Sequence, residues 1–415
     1  MAETNVRTID GVSITNWAAA AFAEVTTSPN SLLAKLTGPQ LAESSVEARL
    51  RGETSPAYPI VQITDLQKKA GDTVVCEMVN MMTGKPVAFG DESIQGKLKS
   101  QSFQTQSVKI DQFVVGASAG GRMSQQRTNI NIPGTSRAGM TGWAQRYMTQ
   151  QALVHAAGAR GSDNGDRWHV PLESDGDFTK CMVNSVLPPT FNRHFYAGKA
   201  TSLATLTSAS ILNFDAIENA LAQMEDSGQP LPSCTIEGDS AAGESPLWVL
   251  YMTNRQSMSL RRAAGEGTWA QYQKMAMNRG KDNPLFTGAL GLYKNVLMKE
   301  YPFPIRFAAN AAVTVSQNAA AATTTTSTPT VTTDRALLFR AQAVANCYGA
   351  GDTTGLPFDV WAGYPEAEHG RKWECSMAGI GGFSKFRFPM SYGSTKNYLT
   401  DYGVAVIDSY APATV

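Results

Sequence analysis

The sequence has little charge. Of its 415 residues 17% are charged, below the usual share of about a quarter, and Lys plus Arg balance Asp plus Glu at 35 each. That balance excludes a dedicated nucleic-acid binder, which would show a basic face or a high pI. A weakly charged surface repels copies of itself weakly, so it suits a protein that tiles against many copies, and equally a neutral enzyme. Histidine is scarce: His155, His169, His194 and His369 are the only four, and none lies within helical or hairpin spacing of another. The cysteines (Cys76, Cys181, Cys234, Cys347, Cys375) are odd in number and scattered, with no CxxC pair and no zinc-type Cys/His spacing. They read as reduced, mostly buried thiols of a protein that folds in the cytoplasm. No run of about eighteen apolar residues occurs, and MAETNVRTID has no apolar signal-peptide core, so no membrane segment is expected. What is present is 42% hydrophobic residues with 9% aromatic, enough for about two or three domain-sized cores.

Residues 1 to 60 mix short apolar patches with Ser, Thr, Pro and Glu and show no sustained strand period. Trp17 to Val25 and Gln40 to Leu50 each offer a short helix too weak to stand alone, so the segment reads as an arm ordered by something it lies on, such as a neighbouring subunit. Asp72 to Val79 and Phe103 to Val115 carry β-branched and aromatic strand signals. The stretch between them, Asn80 to Ser102, holds Gly84, Pro86, Gly90 and Gly96 with Lys85, Lys97 and Lys99, and lacks the apolar residues to bury a core of its own. It reads as a long polar hairpin or as a plain surface loop.

Beyond the turn, Met140, Trp143, Ala144, Tyr147, Met148, Val154 and His155 recur at mostly helical spacing, predicting a long helix from about Thr135 to Ala157. Trp143 and Tyr147 sit on its apolar stripe and read as core anchors. Asn213 offers an N-cap to a second helix bearing Phe214, Ile217, Leu221 and Met224, with Gly228 as its stop. PLWVLYM at Pro246 to Met252 reads as a buried strand, followed by helices over Gln256 to Ala263 and Trp269 to Met277, so the region is mixed α+β. Asn310 to Thr333 is uncharged and rich in Ala and Thr, which predicts an exposed loop. Phe383 to Phe388 and Tyr402 to Ile407 alternate as strands that pair in a sheet.

Gly116-Ala117-Ser118-Ala119-Gly120 matches the GxSxG nucleophile elbow and would make Ser118 the nucleophile of an α/β hydrolase. The motif needs a helix at once, whereas the next residues are polar and run to Pro133, which disfavours helix at Asn131 and Ile132. Gly238-Asp239-Ser240 reads as a solvated turn. Glu366, Glu368 and His369 read as an exposed loop before a metal site, and Ala378 to Gly382 lacks the Lys of a phosphate loop and reads as backbone clearance in a turn. No catalytic, cofactor or metal residue is assigned. Arg122 and Arg127 bracket a polar run and fit an ion pair, within the chain or between subunits, better than a basic patch.

Three segments, GRMSQQRT at Gly121 to Thr128, LFTGALGLYKNV at Leu285 to Val296 and DYGVAVIDSYA at Asp401 to Ala411, together with GDTVVCEMV at Gly71 to Val79, resemble the major capsid proteins of tailed bacteriophages with the Hong Kong 97 fold. The chain departs from that family's look at Asp91 to Gln104, which has few acidic residues, and at Pro133, Gly134, Gly139 and Gly142, which interrupt the approach to the long helix. The resemblance implies an α+β capsid fold: an N-terminal arm (1–60), an extended hairpin loop with adjoining peripheral-domain strands (61–131), a spine helix and peripheral domain (132–200), an axial domain with an exposed loop at 310–333 (201–375), and peripheral C-terminal strands (376–415). It implies self-assembly as hexamers and pentamers into an icosahedral shell, with scaffold, portal and decoration proteins as possible partners. Packaged double-stranded DNA would be enclosed without sequence-specific binding. The place is the virion, after synthesis and assembly in the host bacterial cytoplasm. Lys85, Lys97, Lys99, Arg122 and Arg127 are the candidate intersubunit contacts. A different virion or surface-array protein remains the other structural reading.

Overall fold

The computed structural model describes residues 20–21, 32–39, 54–64, 71–79, 86, 88–89, 93–96, 103–163, 165–226, 234, 247–279, 289–317, 324–351, 356–365, 371–392 and 395–412. A five-residue helix, Leu32–Leu36, precedes β1 (Ile60–Ile63), a hairpin of β2 (Thr73–Val79) and β3 (Phe103–Lys109), and β4 (Asp111–Gly121). The helices Arg122–Gln126 and Ile132–Ala157 come next, then β5 (His194–Tyr196), the helix Phe214–Asp226, β6 (Trp248–Met252) and the helices Asn254–Ala264 and Glu266–Arg279. Strands then predominate: β7 (Ala289–Tyr293), β8 (Val296–Glu300), β9 (Arg306–Phe307), β10 (Val313–Ser316), β11 (Thr324–Ser327), β12 (Thr333–Phe339) and β13 (Val344–Tyr348). After them come β14 (Phe358–Gly363), β15 (Lys372–Lys385), β16 (Arg387–Tyr392), β17 (Thr395–Asp401) and β18 (Val404–Tyr410).

Two sheets hold the molecule. A seven-stranded sheet runs β5-β18-β12-β6-β8-β7 with β9 added to β12, and a five-stranded sheet runs β1-β13-β15-β14 with β4 on the other side of β15. The first sheet is apolar on both faces. Leu250, Met298, Leu338 and Ile407 pack under the helices Phe214–Asp226, Asn254–Ala264 and Glu266–Arg279 through Ile217, Leu260 and Trp269. Val249, Leu297, Leu337 and Val406 face the other way, into a core shared with the long helix. A strand buried on both faces reads as a continuous apolar run, which is the look of WVLYM and of RALLF.

The long helix Ile132–Ala157 starts three residues earlier than its apolar spacing predicts. Asn131 caps it, accepting from the Gly134 amide at 3.2 Å, and Pro133 stands in the first turn, where its missing N–H costs nothing. The proline that disfavours helix before it is therefore part of the start signal, and Gly139 and Gly142 lie within the helix. Its end is set by Gly158 in the left-handed region (φ 66°), where a Cβ would stand 2.3 Å from the Leu187 carbonyl oxygen. Phe113 from β4 meets Tyr147, with ring centroids 5.1 Å apart, and Tyr147 stacks on Trp143 at 4.8 Å, so both are the core anchors expected of them.

Four expectations need correction. Ala378 to Gly382 lies inside β15 and not in a turn; a Cβ on Gly379 would meet the Phe113 ring at 2.3 Å, and one on Gly382 the Lys109 carbonyl oxygen at 2.1 Å. The glycines do give clearance, but to neighbouring strands. Phe383 to Phe388 spans the end of β15 and the start of β16, and Tyr402 to Ile407 leads into β18, which joins the other sheet, between β5 and β12. Asn310 to Thr333 contains the β10–β11 hairpin, whose Val313 and Val315 are buried, while Thr324 to Thr326 are exposed. Leu32, Leu33 and Leu36 are buried in the chain's own core, packed near the long helix, so this part of the arm does not wait for a neighbour. Most of Trp17 to Val25, all of Gln40 to Leu50, and Gly228, Gly238 to Ser240, Leu285 to Thr287 and Glu366 to His369 lie outside the described residues.

Candidate assembly surfaces

The β2–β3 hairpin is rooted in its own chain. Val74, Cys76 and Val108 are buried with Val61, Ala345, Phe386 and Phe388. Gln106 donates to the Lys385 carbonyl at 2.8 Å and accepts from the Arg387 amide at 2.9 Å, while Asn184 exchanges two 2.9 Å bonds with the Lys109 backbone. Pairing runs from Thr73↔Lys109 to Val79↔Phe103, so residues 80 to 102 connect the far ends of two paired strands. In the described part of that connection Phe89 and Ile94 are 62% and 53% exposed. Lys85, Lys97 and Lys99 lie outside the described residues.

Strand β4 alternates, with Phe113, Val115 and Ala117 turned to the core and Gln112, Val114, Gly116 and Ser118 exposed. Ser118 therefore sits on the open face of a regular strand, in register with Glu374, and its Oγ accepts from the Gly120 amide at 3.3 Å. A five-residue helix, Arg122–Gln126, does come after the motif, contrary to the reading that none would, but it starts after Gly121 and leaves Ser118 three residues inside the strand. A nucleophile elbow needs the serine on the turn itself. Arg122 and Arg127 bracket that helix and are exposed; Arg122 stands 5.8 Å over the Tyr364 ring, a partner that ion-pair reasoning did not supply.

Behind these surfaces lie two buried charge clusters. Arg335 on β12 gives Asp408 on β18 two bonds of 2.8 Å, His194 Nε2 meets the same carboxylate at 2.7 Å, and Tyr196 reaches His194 Nδ1 at 3.3 Å. Burial alone would raise the Asp408 carboxyl, but the Arg335 charge outweighs it and holds the group far below the usual carboxylate range. Burial dominates at His194 and keeps the imidazole below its ordinary value despite Asp408. In the second cluster Asp401 accepts from Lys385 at 2.8 Å and from Arg387 at 2.7 Å, tying β17 to β15 and β16. Burial pushes Lys385 down to about 8, while Asp401, facing two cations, also falls. Asp334 is held in the same manner by Arg306 at 2.7 Å and by Thr253 at 2.6 Å. These groups join strands far apart in sequence. Their sequence signal is a charged residue inside an apolar run, as in TDRALLF and VAVIDSY, which periodicity alone does not pair.

At the β5 edge, a cleft of about 930 Å³ opens between Phe191 to Leu203, one flank of the Phe214–Asp226 helix and the β10–β11 hairpin. Among the described residues no group of His, Cys, Asp and Glu is placed to hold a metal ion, and no helix is long and apolar enough to cross a membrane. The five cysteines are free thiols, with Cys76, Cys234, Cys347 and Cys375 buried.

A family model described as phage capsid protein matches residues 5–413. The major capsid protein of Pseudomonas phage KPP25 is 23% identical over 245 residues, covering 58% of this chain and 63% of that relative. The match thus spans less than two thirds of that relative's length. Among solved structures, the capsid of Ralstonia phage GP4 superposes with a TM-score of 0.71 at 26% identity, over 87% of this chain and 89% of the other. The Cyanophage Pam1 capsid asymmetric unit matches with a TM-score of 0.56 at 16% identity, over 87% and 90%. The head structure of Helicobacter pylori bacteriophage KHP40 gives 0.53 at 13%, over 86% and 88%. The last two show the shared fold alone. Two sheets, a long helix against the five-stranded one and a rooted hairpin with an exposed far end make the α+β, Hong Kong 97-like capsid fold, and with a family model spanning nearly the whole sequence, this chain belongs to the phage capsid protein family.

Proposed function

We propose that this chain is the major building block of an icosahedral phage head, a structural protein with no catalytic role, assembled as hexamers and pentamers around double-stranded DNA. The observation that carries this reading is the hairpin. Its base is fastened to the chain's own core, yet Phe89 and Ile94 beyond the paired strands remain exposed, which a monomer has no reason to keep. In this reading residues 1–60 are an arm, the hairpin within 61–131 is the extended loop, and the peripheral and axial bodies are built on the two sheets, which share the strands of 201–375 and 376–415 between them. Lys85, Lys97, Lys99, Arg122 and Arg127 would contact neighbours. Each subunit presents different patches to its neighbours, and such heterologous contacts close only through the symmetry of a shell. Contacts of about 1,600 Å² repeated several times per copy make the lattice strong while each stays reversible. A balanced charge fits enclosing DNA without gripping it. Synthesis and assembly belong to the host cytoplasm, with scaffold, portal and decoration proteins as further partners.

The test is size-exclusion chromatography with negative-stain imaging of the expressed chain. Closed shells, or rings of five and six copies, are expected. Flat arrays alone would favour a surface-array protein, and a monomer under all conditions with a Ser118-dependent esterase activity would favour the hydrolase.

A further inference from the structure

We propose that the cleft at the β5 edge of the seven-stranded sheet binds a neutral oligosaccharide, with the exposed Phe191 ring as its stacking platform and amide and hydroxyl side chains as its hydrogen-bonding walls. This binding activity is separate from shell assembly and does not depend on it.

Each wall comes from a different element, so the cleft exists only in the folded chain. In the Phe214–Asp226 helix, Ala216, Asn219, Ala220, Gln223 and Asp226 recur at spacings of three and four, which puts them on one flank, and all five line the cleft. The two alanines are buried and small, while Asn219 and Gln223 are exposed. A second wall is the β10–β11 hairpin, fastened through the Ser316 hydroxyl, which donates to the Pro189 carbonyl at 2.7 Å. It presents Thr325 and Thr326, both exposed. Strand β5 adds Tyr196, whose hydroxyl meets His194 Nδ1 at 3.3 Å, while His194 Nε2 meets Asp408 at 2.7 Å. The ring that lines this side is therefore held by the buried network behind it.

The chemistry of the lining selects the class of ligand. Its ionic groups are Lys199 and Asp226, one of each sign, and burial keeps His194 neutral at neutral pH. A polyanion needs converging cations and a metal ion needs converging carboxylates, and one group of each sign supplies neither. A wholly apolar ligand would cover the amides and hydroxyls without giving them partners, which is unfavourable. A neutral ligand that both donates and accepts along its length satisfies them. Asn219 and Gln223 each carry a donor beside an acceptor, and each Thr hydroxyl is both, so these side chains match the adjacent hydroxyls of a sugar. Phe191, 49% exposed on the rim, completes the match, because the negative face of an aromatic ring attracts the C–H face of a sugar ring. The volume of about 930 Å³ lies near the upper end of the range of ligand clefts, about 300–1,000 Å³, and leaves room for more than one sugar ring.

The test is saturation-transfer NMR with titration calorimetry on the full chain, using maltotriose and triacetylchitotriose as neutral probes and trigalacturonate as the anionic one. At least one neutral trisaccharide should bind, and trigalacturonate should bind at least about tenfold more weakly than it. Phe191→Ala, and separately Asn219→Ala combined with Gln223→Ala, should each weaken that binding about fivefold or more while thermal melting stays at the parent value, since all three side chains are exposed. No binding of either neutral probe, equal binding of the anionic one, or binding that survives both variants would each overturn the site. None of these results bears on shell assembly, which imaging reads independently.

Discussion

Arg335 and Asp408 stand directly opposite each other on β12 and β18 and share two hydrogen bonds of 2.8 Å, with neither side chain exposed. Arg335 also donates to the Ala157 carbonyl at 2.9 Å, at the last turn of the long helix, so one guanidinium ties the centre of the larger sheet to the helix of the other body. Asp408→Ala leaves that cation buried and uncompensated, and should cost about 3–5 kcal/mol in urea unfolding. Replacing both residues by apolar side chains of similar volume should cost far less, because no stranded charge remains.

Acid should unfold the chain through its buried histidines. Burial, helped by the Lys385 charge, pushes His155 down to about 3, and burial lowers His194 as well. A histidine depressed in the folded state contributes stability that is complete above its unfolded value of about 6.5 and is lost as pH falls toward the folded value. Each group then costs up to ~1.4 kcal/mol per pH unit across that window. Asp408, depressed by Arg335, loses its contribution only below about pH 4, as pH falls toward its folded value. Urea unfolding between pH 7 and 4 should therefore steepen toward acid, and His155→Leu should flatten the slope by about one proton's worth. An unchanged slope in that variant would mean that His155 titrates freely.

Helix and strand content was legible where local signals agree with tertiary need. The helix from Asn213 onward shows its cap, since Asn213 accepts from the Ala216 amide at 2.9 Å, and the helix Asn254–Ala264 has a capping box at Thr253 and Gln256. The long helix starts earlier than its apolar spacing implies because Pro133, a breaker deeper in a helix, is tolerated in the first turn, and Asn131 supplies the cap. Partners in the sheets were not legible. His194 to Tyr196 is only three residues long, and it becomes a strand because β18 runs parallel beside it. Likewise Val313 and Val315 are buried by the body they fold onto, which an Ala/Thr-rich composition does not disclose. The cleft depends on that same return of the β10–β11 hairpin and left no sequence trace.

Ser118→Ala should assemble like the parent and shift stability by no more than about 0.5 kcal/mol, as expected for an exposed strand position. Ser118 faces solvent from β4 in register with Glu374. Imaging and thermal melting check the expectation, and an esterase activity abolished by the substitution would contradict it.

The sharpest expectation concerns residues 80 to 102. Replacing Gly84 to Gln101 by a short Gly-Ser turn keeps β2 and β3 paired from Thr73↔Lys109 to Val79↔Phe103. It also keeps the contacts that fasten them: Val74, Cys76 and Val108 in their apolar cluster, Gln106 on Lys385 and Arg387, and Asn184 on Lys109. Phe89 and Ile94, which the change removes, are exposed and add little to the subunit's own stability. A shorter connection also lowers the closure cost slightly, since that cost grows only with the logarithm of loop length. The monomer should therefore melt cooperatively near the parent temperature. Assembly should fail, because in the proposed shell Phe89 and Ile94 gain their burial from a neighbour, and a contact repeated on every copy weighs on the whole lattice. Thermal melting and imaging of the same preparation separate the two effects. Shells of normal size from the shortened chain would make this segment a plain surface loop.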